Sequence, residues 1–385
     1  MKTQVQIYRL ILLMGIILLA GCSPALPVAT QGSGQLTAPV PTGTSSTQIV
    51  AQETPEAEAI TSTPDPAAVN PLTGLPVQDA NLLKKRPVIV KVQNVPRESR
   101  PQWGLSQADH VYEYYIEYGD TRFAAVYYGT RPEQIGPVRS ARHVDMQLIQ
   151  MYQAVLLYGG AYEDLEQEML SSEFGGRLIR EGENTEAVFY RYEPSGTNYL
   201  MADITRLDEV YNLYQIEDVQ PEFPVMPFSE LPGEGGLPAD VVRIRFSGSM
   251  YNRWDYDPDT ARYYRSSEVV SGMEEEYAPL YDRANGEQIA ADNLVVIFTR
   301  YNQVPDFNEV FDVPFMGSGT AYGIRDGQIT ELTWNRDEAG GLFTLTRADG
   351  TPYAFKPGNT WFSILGSQSK LNQQERNWQF TFYMP

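Results

Sequence analysis

Apolar residues are distributed along this chain in three distinct regimes. Leu10-Ile-Leu-Leu-Met-Gly-Ile-Ile-Leu-Leu19 is a ten-residue run, almost wholly apolar, behind Lys2 and Arg9. That suits the core of an export leader and falls short of the roughly 20 residues needed to span a bilayer. From Ser23 to Val69 the chain is rich in Pro, Thr, Ser, Ala, Gln and Gly, with no Lys, Arg or aromatic residue. Too little apolar surface is available there to offset chain entropy, so disorder is predicted for a tether of residues 22–69. Its flexible span is roughly 35–40 Å. Beyond Asn70 the hydrophobic positions become periodic, and folded structure begins.

Arg86–Val92 reads as a buried strand. His110–Tyr118 and Thr121–Tyr128 read as two strands joined at Gly119-Asp120, a hairpin dipeptide. That register sets Tyr118 opposite Thr121 and Glu117 opposite Arg122. Tyr112, Tyr114, Ile116, Phe123, Ala125 and Tyr127 then share one face, and Glu113, Glu117 and Arg122 share the other. Four strand steps of roughly 3.3 Å put Glu113 and Glu117 about 13 Å apart. Glycosidase carboxylate pairs need roughly 5–9.5 Å, so a cross-strand Glu117–Arg122 ion pair is the expectation. Ala141–Tyr152 carries the helical stripe Val144, Leu148, Met151, with Ser140 as its expected N-cap. Val155–Tyr158 reads as a strand, Glu163–Phe174 and Asp203–Leu213 as helices, and Tyr192–Met201 as a loop. Residues 70–218 are thus predicted as a mixed α/β unit.

Five prolines and three glycines mark residues 219–240 as a linker. From 241 to 385 short strands recur with turn dipeptides at Asp326-Gly327 and Asp349-Gly350, the pattern of a mainly antiparallel β unit. The predicted class is α+β, a mixed α/β domain followed by a β domain.

Composition narrows the chemistry. The formal charge is −20, and loss of Lys2 and Arg9 with the leader (1–21) takes it to −22. A surface this acidic repels phosphate backbones, so nucleic acid is not expected as a partner. Cys22 is the only cysteine, and His110 and His143 are the only histidines. Disulfides, Cys-based zinc sites, thiol catalysis and three-His metal sites are excluded; neither metal nor cofactor is expected. Leu19-Ala20-Gly21-Cys22 has the form of a lipobox, so Cys22 is expected to be lipidated and to hold the chain at the extracytoplasmic face of a cell membrane.

One local rule is broken. Arg139 and Arg142 stand at the mouth of the 141–152 helix, where the macrodipole disfavours cations. With Ser140 and the free helix N–H groups they could hold a phosphate or carboxylate, Arg122 adding a third guanidinium. In the competing arrangement Arg142 pairs with Asp145 and Arg139 with an acid elsewhere. Ser140, His143 and Asp145 do not suit a relay, because residues crowded at one helix end rarely align for one. Asp255-Tyr-Asp257-Pro-Asp259 lacks the glycine and the glutamate that a calcium loop requires. Gly317-Ser-Gly319 does not extend into a dinucleotide fingerprint.

Asn70-Pro-Leu-Thr-Gly74, Arg100-Pro-Gln-Trp-Gly-Leu-Ser-Gln-Ala-Asp109, Thr121-Arg-Phe123, Ile135-Gly-Pro-Val-Arg-Ser-Ala-Arg142 and Pro357-Gly-Asn-Thr-Trp361 resemble the YerB-like bacterial lipoprotein family. The resemblance implies a two-part ectodomain on a lipid anchor and brings no activity with it. This chain departs from the family at Tyr158 and at Gly196-Thr197-Asn198, where histidine-bearing steps are expected.

Three functions follow. The first is a non-catalytic envelope module binding a ligand or another envelope protein, with 25 Tyr and 5 Trp available for contact. The second is an enzyme on a cell-wall or lipid-linked phosphate, clamped by Arg122, Arg139 and Arg142 and assisted by acids among Glu113, Glu117 and Asp145. The third is a purely structural module whose polar groups satisfy one another.

Overall fold

The computed structural model describes residues 68–193, 198–224, 226–272, 275–305 and 309–384. The leader, Cys22 and nearly all of the tether lie outside the described residues, as do Gly196 and Thr197.

Sheet outweighs helix. Strands β1 (Val88–Gln93), β2 (His110–Tyr115), β3 (Thr121–Tyr127), β4 (Val155–Tyr158) and β5 (Leu178–Arg180) come from the first half. Helices α1 (His143–Tyr152), α2 (Glu163–Ser171) and α3 (Leu207–Tyr214) are interleaved with and follow them. The second half contributes β6 (Val241–Arg245), β7 (Tyr251–Asp257), β8 (Arg262–Glu268), β9 (Tyr277–Pro279) and β10 (Asn293–Thr299). It then adds β11 (Gly317–Arg325), β12 (Gln328–Arg336), β13 (Thr344–Thr346), β14 (Thr360–Gly366), β15 (Lys370–Gln374) and β16 (Asn377–Thr381).

Eleven strands form one sheet, ordered β13-β12-β11-β10-β14-β2-β3-β1-β4-β5 with Leu237–Pro238 pairing on β12. Strands from both halves therefore share a sheet. The splice is β14, parallel to β10 on one side and to β2 on the other, with Tyr112 beside Phe362. Seven strands make a second sheet, ordered β9-β8-β7-β6-β16-β15 with Ala290–Ala291 on β8. Here β16 runs parallel to β6. Most pairs within the second half are antiparallel, as the sequence suggested, but each sheet also holds parallel pairs; parallel pairs between distant segments leave no local turn signal.

The register of β2 and β3 differs from the hairpin expectation. Tyr115 faces Thr121 and Tyr114 faces Arg122. Tyr118 and Gly119 both have positive φ, at 56° and 85°, so the turn centres one residue early. Ile116 N–H donates to Asp120 O, and Asp120 N–H to Glu117 O; two residues oppose one in a bulge. The net slip is odd, so side chains exchange faces. Tyr112, Tyr114 and Arg122 point toward α1, while Glu113, Thr121 and Phe123 point toward the second sheet.

Gly358, inside the Pro357–Trp361 motif, has φ 141° and donates its N–H to Thr73 O at 2.8 Å. A Cβ there would lie 2.2 Å from Asp292 Cγ. Asp292 Oδ2 also accepts the Asn359 N–H, so it cannot withdraw freely. Gly358→Ala should therefore lower stability by about 1–3 kcal/mol, measured by urea denaturation.

Candidate functional site

The α1 face of the large sheet carries Lys91, Gln93, Tyr114 and Arg122 on adjacent strands, since Lys91 pairs with Ala124 and Gln93 with Arg122. Val144, Leu148 and Met151 of α1 are buried against the core, which fixes the helix and presents Asp145 to those strands. Lys91 Nζ lies 3.1 Å from Asp145 Oδ1, both side chains fully buried. The Tyr114 hydroxyl donates to the same oxygen and receives Lys91. Burial pulls the Lys91 ammonium down to about 7 against the attraction of Asp145, and Arg122 and Arg142 lower it further. Burial, reinforced by Asp145, holds the Tyr114 hydroxyl well above its usual range.

The arginines meet two different fates. Arg142 is locked to Glu117, its Nε 2.7 Å from Oε2 and its Nη2 on Oε1. Glu117 reaches it because the bulge takes Glu117 out of the strand and away from Arg122. Arg142, not Ser140, caps α1, and its N–H donates to Asp145 Oδ2 at 2.7 Å. Ser140 stands outside the helix, and its carbonyl accepts from Arg122 Nη1 at 2.8 Å.

Arg122 and Arg139, by contrast, enter no ion pair among the described residues. Arg139 Nη2 bonds to Asn198 Oδ1, a neutral acceptor. Burial lowers its pKa first, and the charges of Arg122 and Arg191 lower it further. Burial likewise lowers that of Arg122, against Tyr114, Asp145 and Asp120. Both side chains remain partly exposed. Two like charges thus share one ledge, and neither is neutralised by an ion pair among the described residues.

Other candidates disperse. Glu113 faces the opposite side of the sheet, 2.9 Å from Arg265 Nη2, and is 1% exposed. The odd register puts it there, so it cannot assist at the arginine ledge. His143 contacts the Tyr162 hydroxyl, 3.0 Å from Nε2, so Ser140, His143 and Asp145 form no relay. Tyr158 is buried and donates to Glu166 Oε1 at 2.7 Å. Among the described residues no group of three or more His, Cys, Asp or Glu is placed to hold a metal.

Sequence reasoning missed Lys91, Gln93 and Asn198. Lys91 had one visible signal, a lone cation inside Val88-Ile-Val-Lys-Val92. Asn198 was marked only as part of the departure from the family at Gly196-Thr197-Asn198; its meeting with Arg139 arises through the fold. Phe189–Arg191 and Leu200–Ala202 pair antiparallel on either side of it, so Leu200 and Met201, the end of the expected 192–201 loop, lie in a strand.

This architecture defines a class: a mostly sheet protein of two sequence modules interlocked through shared strands, with buried ion networks on both faces of the larger sheet. The chain belongs to the family described as "Protein of unknown function (DUF3048)", whose N-terminal domain matches residues 72–217 and C-terminal domain residues 242–362. It is 26% identical over 303 residues to YerB of Bacillus subtilis (strain 168), whose printed name is "Putative lipoprotein YerB". That match covers 77% of this chain and 85% of the relative. The crystal structure of YerB protein from Bacillus subtilis superposes with a TM-score of 0.65 at 24% identity, over 77% of this chain and 96% of that one. This likeness bears on the fold alone. Among the described residues no helix is long and apolar enough to cross a membrane.

Proposed function

We propose that the protein is a lipid-anchored binding module of the cell envelope. Lipidated Cys22 holds it to the outer face of the membrane, and the ledge at Arg122 and Arg139 takes a phosphate-bearing ligand. The lipobox and the similarity to a relative whose printed name is "Putative lipoprotein YerB" support the anchor. One observation carries the ligand class: the partly exposed neighbours Arg122 and Arg139 enter no ion pair among the described residues, in a chain of charge −20. With so many acids to recruit, a purely structural arginine pair would be neutralised, as Arg142 is by Glu117. Planar forks of this kind match phosphate oxygens.

Binding is favoured over catalysis by the commitments of Asp145. That carboxylate is fully buried and already serves Lys91, Tyr114 and the Arg142 N–H. It has no spare position from which to exchange a proton with a ligand.

The test is thermal denaturation of the full chain in detergent, with and without pyrophosphate at low salt. Ligand at a hundredfold excess over Kd should add about 2.7 kcal/mol, a rise of several degrees. Arg122→Gln combined with Arg139→Gln should abolish the rise. An equal rise in the double variant would place the anion elsewhere, and no rise in the unaltered protein would end the proposal. Fatty-acid labelling that persists in Cys22→Ala would remove the anchor independently.

A further inference from the structure

Beside the arginine ledge lies an aromatic ladder. Trp103 and Tyr192 are 4.8 Å apart between ring centroids, and Tyr192 and Tyr199 are 4.7 Å apart. Arg283 lies 4.5 Å from the Trp103 ring at the far end. Tyr199 ends the ladder on the near side; it is partly exposed and meets no other ring among the described residues. It follows Asn198 directly, and Asn198 receives Arg139. The ladder and the ledge are tied by backbone as well. Trp103 exchanges hydrogen bonds with Gly136, at 2.9 and 3.1 Å, and Val138 N–H donates to Leu200 O.

A third group lies where the two meet. Gln93 is fully buried and pairs across the strands with Arg122, while its Nε2 reaches Asn198 O at 3.4 Å. Its Oε1 has no hydrogen-bond partner among the described residues. A buried amide oxygen left without a donor costs about 1–3 kcal/mol, so such a group is expected to be satisfied in a functional state. An anion could not satisfy it. A hydroxyl could.

We infer that the ligand is a sugar phosphate, its phosphate on Arg122 and Arg139, its ring against Tyr199, and a ring hydroxyl donating to Gln93 Oε1. The inference rests on the anion reading above and adds the sugar to it. Tyr199 offers an apolar face that complements the C–H face of a pyranose, backed by Tyr192 and Trp103, which fix its orientation without further side-chain ordering. The hydroxyl adds a directional contact that a bare phosphate lacks.

The experiment is titration calorimetry of the full chain in detergent with α-D-glucose 1-phosphate, glycerol 1-phosphate and inorganic phosphate. Glucose 1-phosphate should bind about tenfold more tightly than either ringless probe, as ring stacking on one aromatic side chain implies. Tyr199→Ala should erase that preference, so that glucose 1-phosphate binds no more tightly than inorganic phosphate. Tyr199→Phe should keep the preference, separating loss of the ring from loss of the fold. Equal affinity for all three probes would overturn the sugar and leave the anion site standing. Binding of none would overturn both. A preference that survives Tyr199→Ala would overturn the assignment of the ring to this platform.

Discussion

Replacing Asp145 by alanine should cost the protein roughly 2–4 kcal/mol near pH 8 and more in acid. The first part is the loss of an acceptor. In the folded state Asp145 receives the Tyr114 hydroxyl, the Lys91 ammonium and the Arg142 N–H that opens α1. Alanine leaves all three donors without their acceptor, two of them fully buried. The second part depends on pH. Burial first of all sets Lys91 at about 7, against 10.5 in the unfolded chain. Between those values the unfolded chain binds more protons, so stability rises with pH across the window and is flat below it. Without Asp145 the main opposing attraction is gone and the folded pKa falls further. The variant must then shed a proton that the unaltered protein retains, adding about 1.4 kcal/mol for each pH unit below 7. Urea denaturation at about pH 8 and about pH 6 should show the deficit widen toward acid. A deficit that narrows toward acid would mean that Lys91 is not a buried base held by this carboxylate. Lys91→Met should cost less, because Asp145 would keep the Tyr114 hydroxyl and the Arg142 N–H.

The same cluster marks where the sequence could be read and where it could not. The stripe Val144, Leu148, Met151 located α1 and its buried face to within two residues, because a 3.6-residue period is a local property. The start of α2 at Glu163 and the strand β4 were legible for similar reasons. Register was not. A tyrosine at positive φ has no sequence signal as strong as Gly119-Asp120, so the hairpin was centred one residue late, and the matching of β2 faces to β3 faces inverted with it. Glu117 was thereby paired with Arg122 and Glu113 placed on the same face as both, when Glu113 serves the second sheet and Glu117 pairs with Arg142. Insertion of β14 between β10 and β2 was also invisible, since Tyr112 and Phe362 are paired across most of the chain. Arg139 and Arg142 stood out as cations at a helix mouth, a violation of a local rule. What distinguishes them, a carboxylate for one and an amide for the other, exists only in three dimensions.

Replacing Glu113 by alanine should be the more damaging change on the opposite face, with an expected loss of about 3–5 kcal/mol. Glu113 on β2 and Arg265 on β8 join the two sheets, each side chain 1% exposed. The Arg265 guanidinium lies 4.6 Å from the Trp361 ring, 5.3 Å from Trp254 and 5.4 Å from Phe123. These rings stabilise the cation and also exclude the water that would replace Glu113. Unlike Lys91, the guanidinium cannot escape by losing its proton, so the loss should change little with pH through neutrality. Arg265→Met should cost less. The abandoned carboxylate keeps Thr121 at 3.1 Å, Asn252 at 3.2 Å and Asn94 at 3.3 Å as donors. Combining Arg265→Met with Glu113→Leu removes both charges at similar volume and should recover most of the loss, giving a coupling energy above about 2 kcal/mol in a double-mutant cycle. Strictly additive losses would show that water reaches the pair. The contrast between a pH-flat deficit at Glu113 and an acid-widening one at Asp145 follows from a single difference: a buried lysine can be neutralised and a buried arginine cannot.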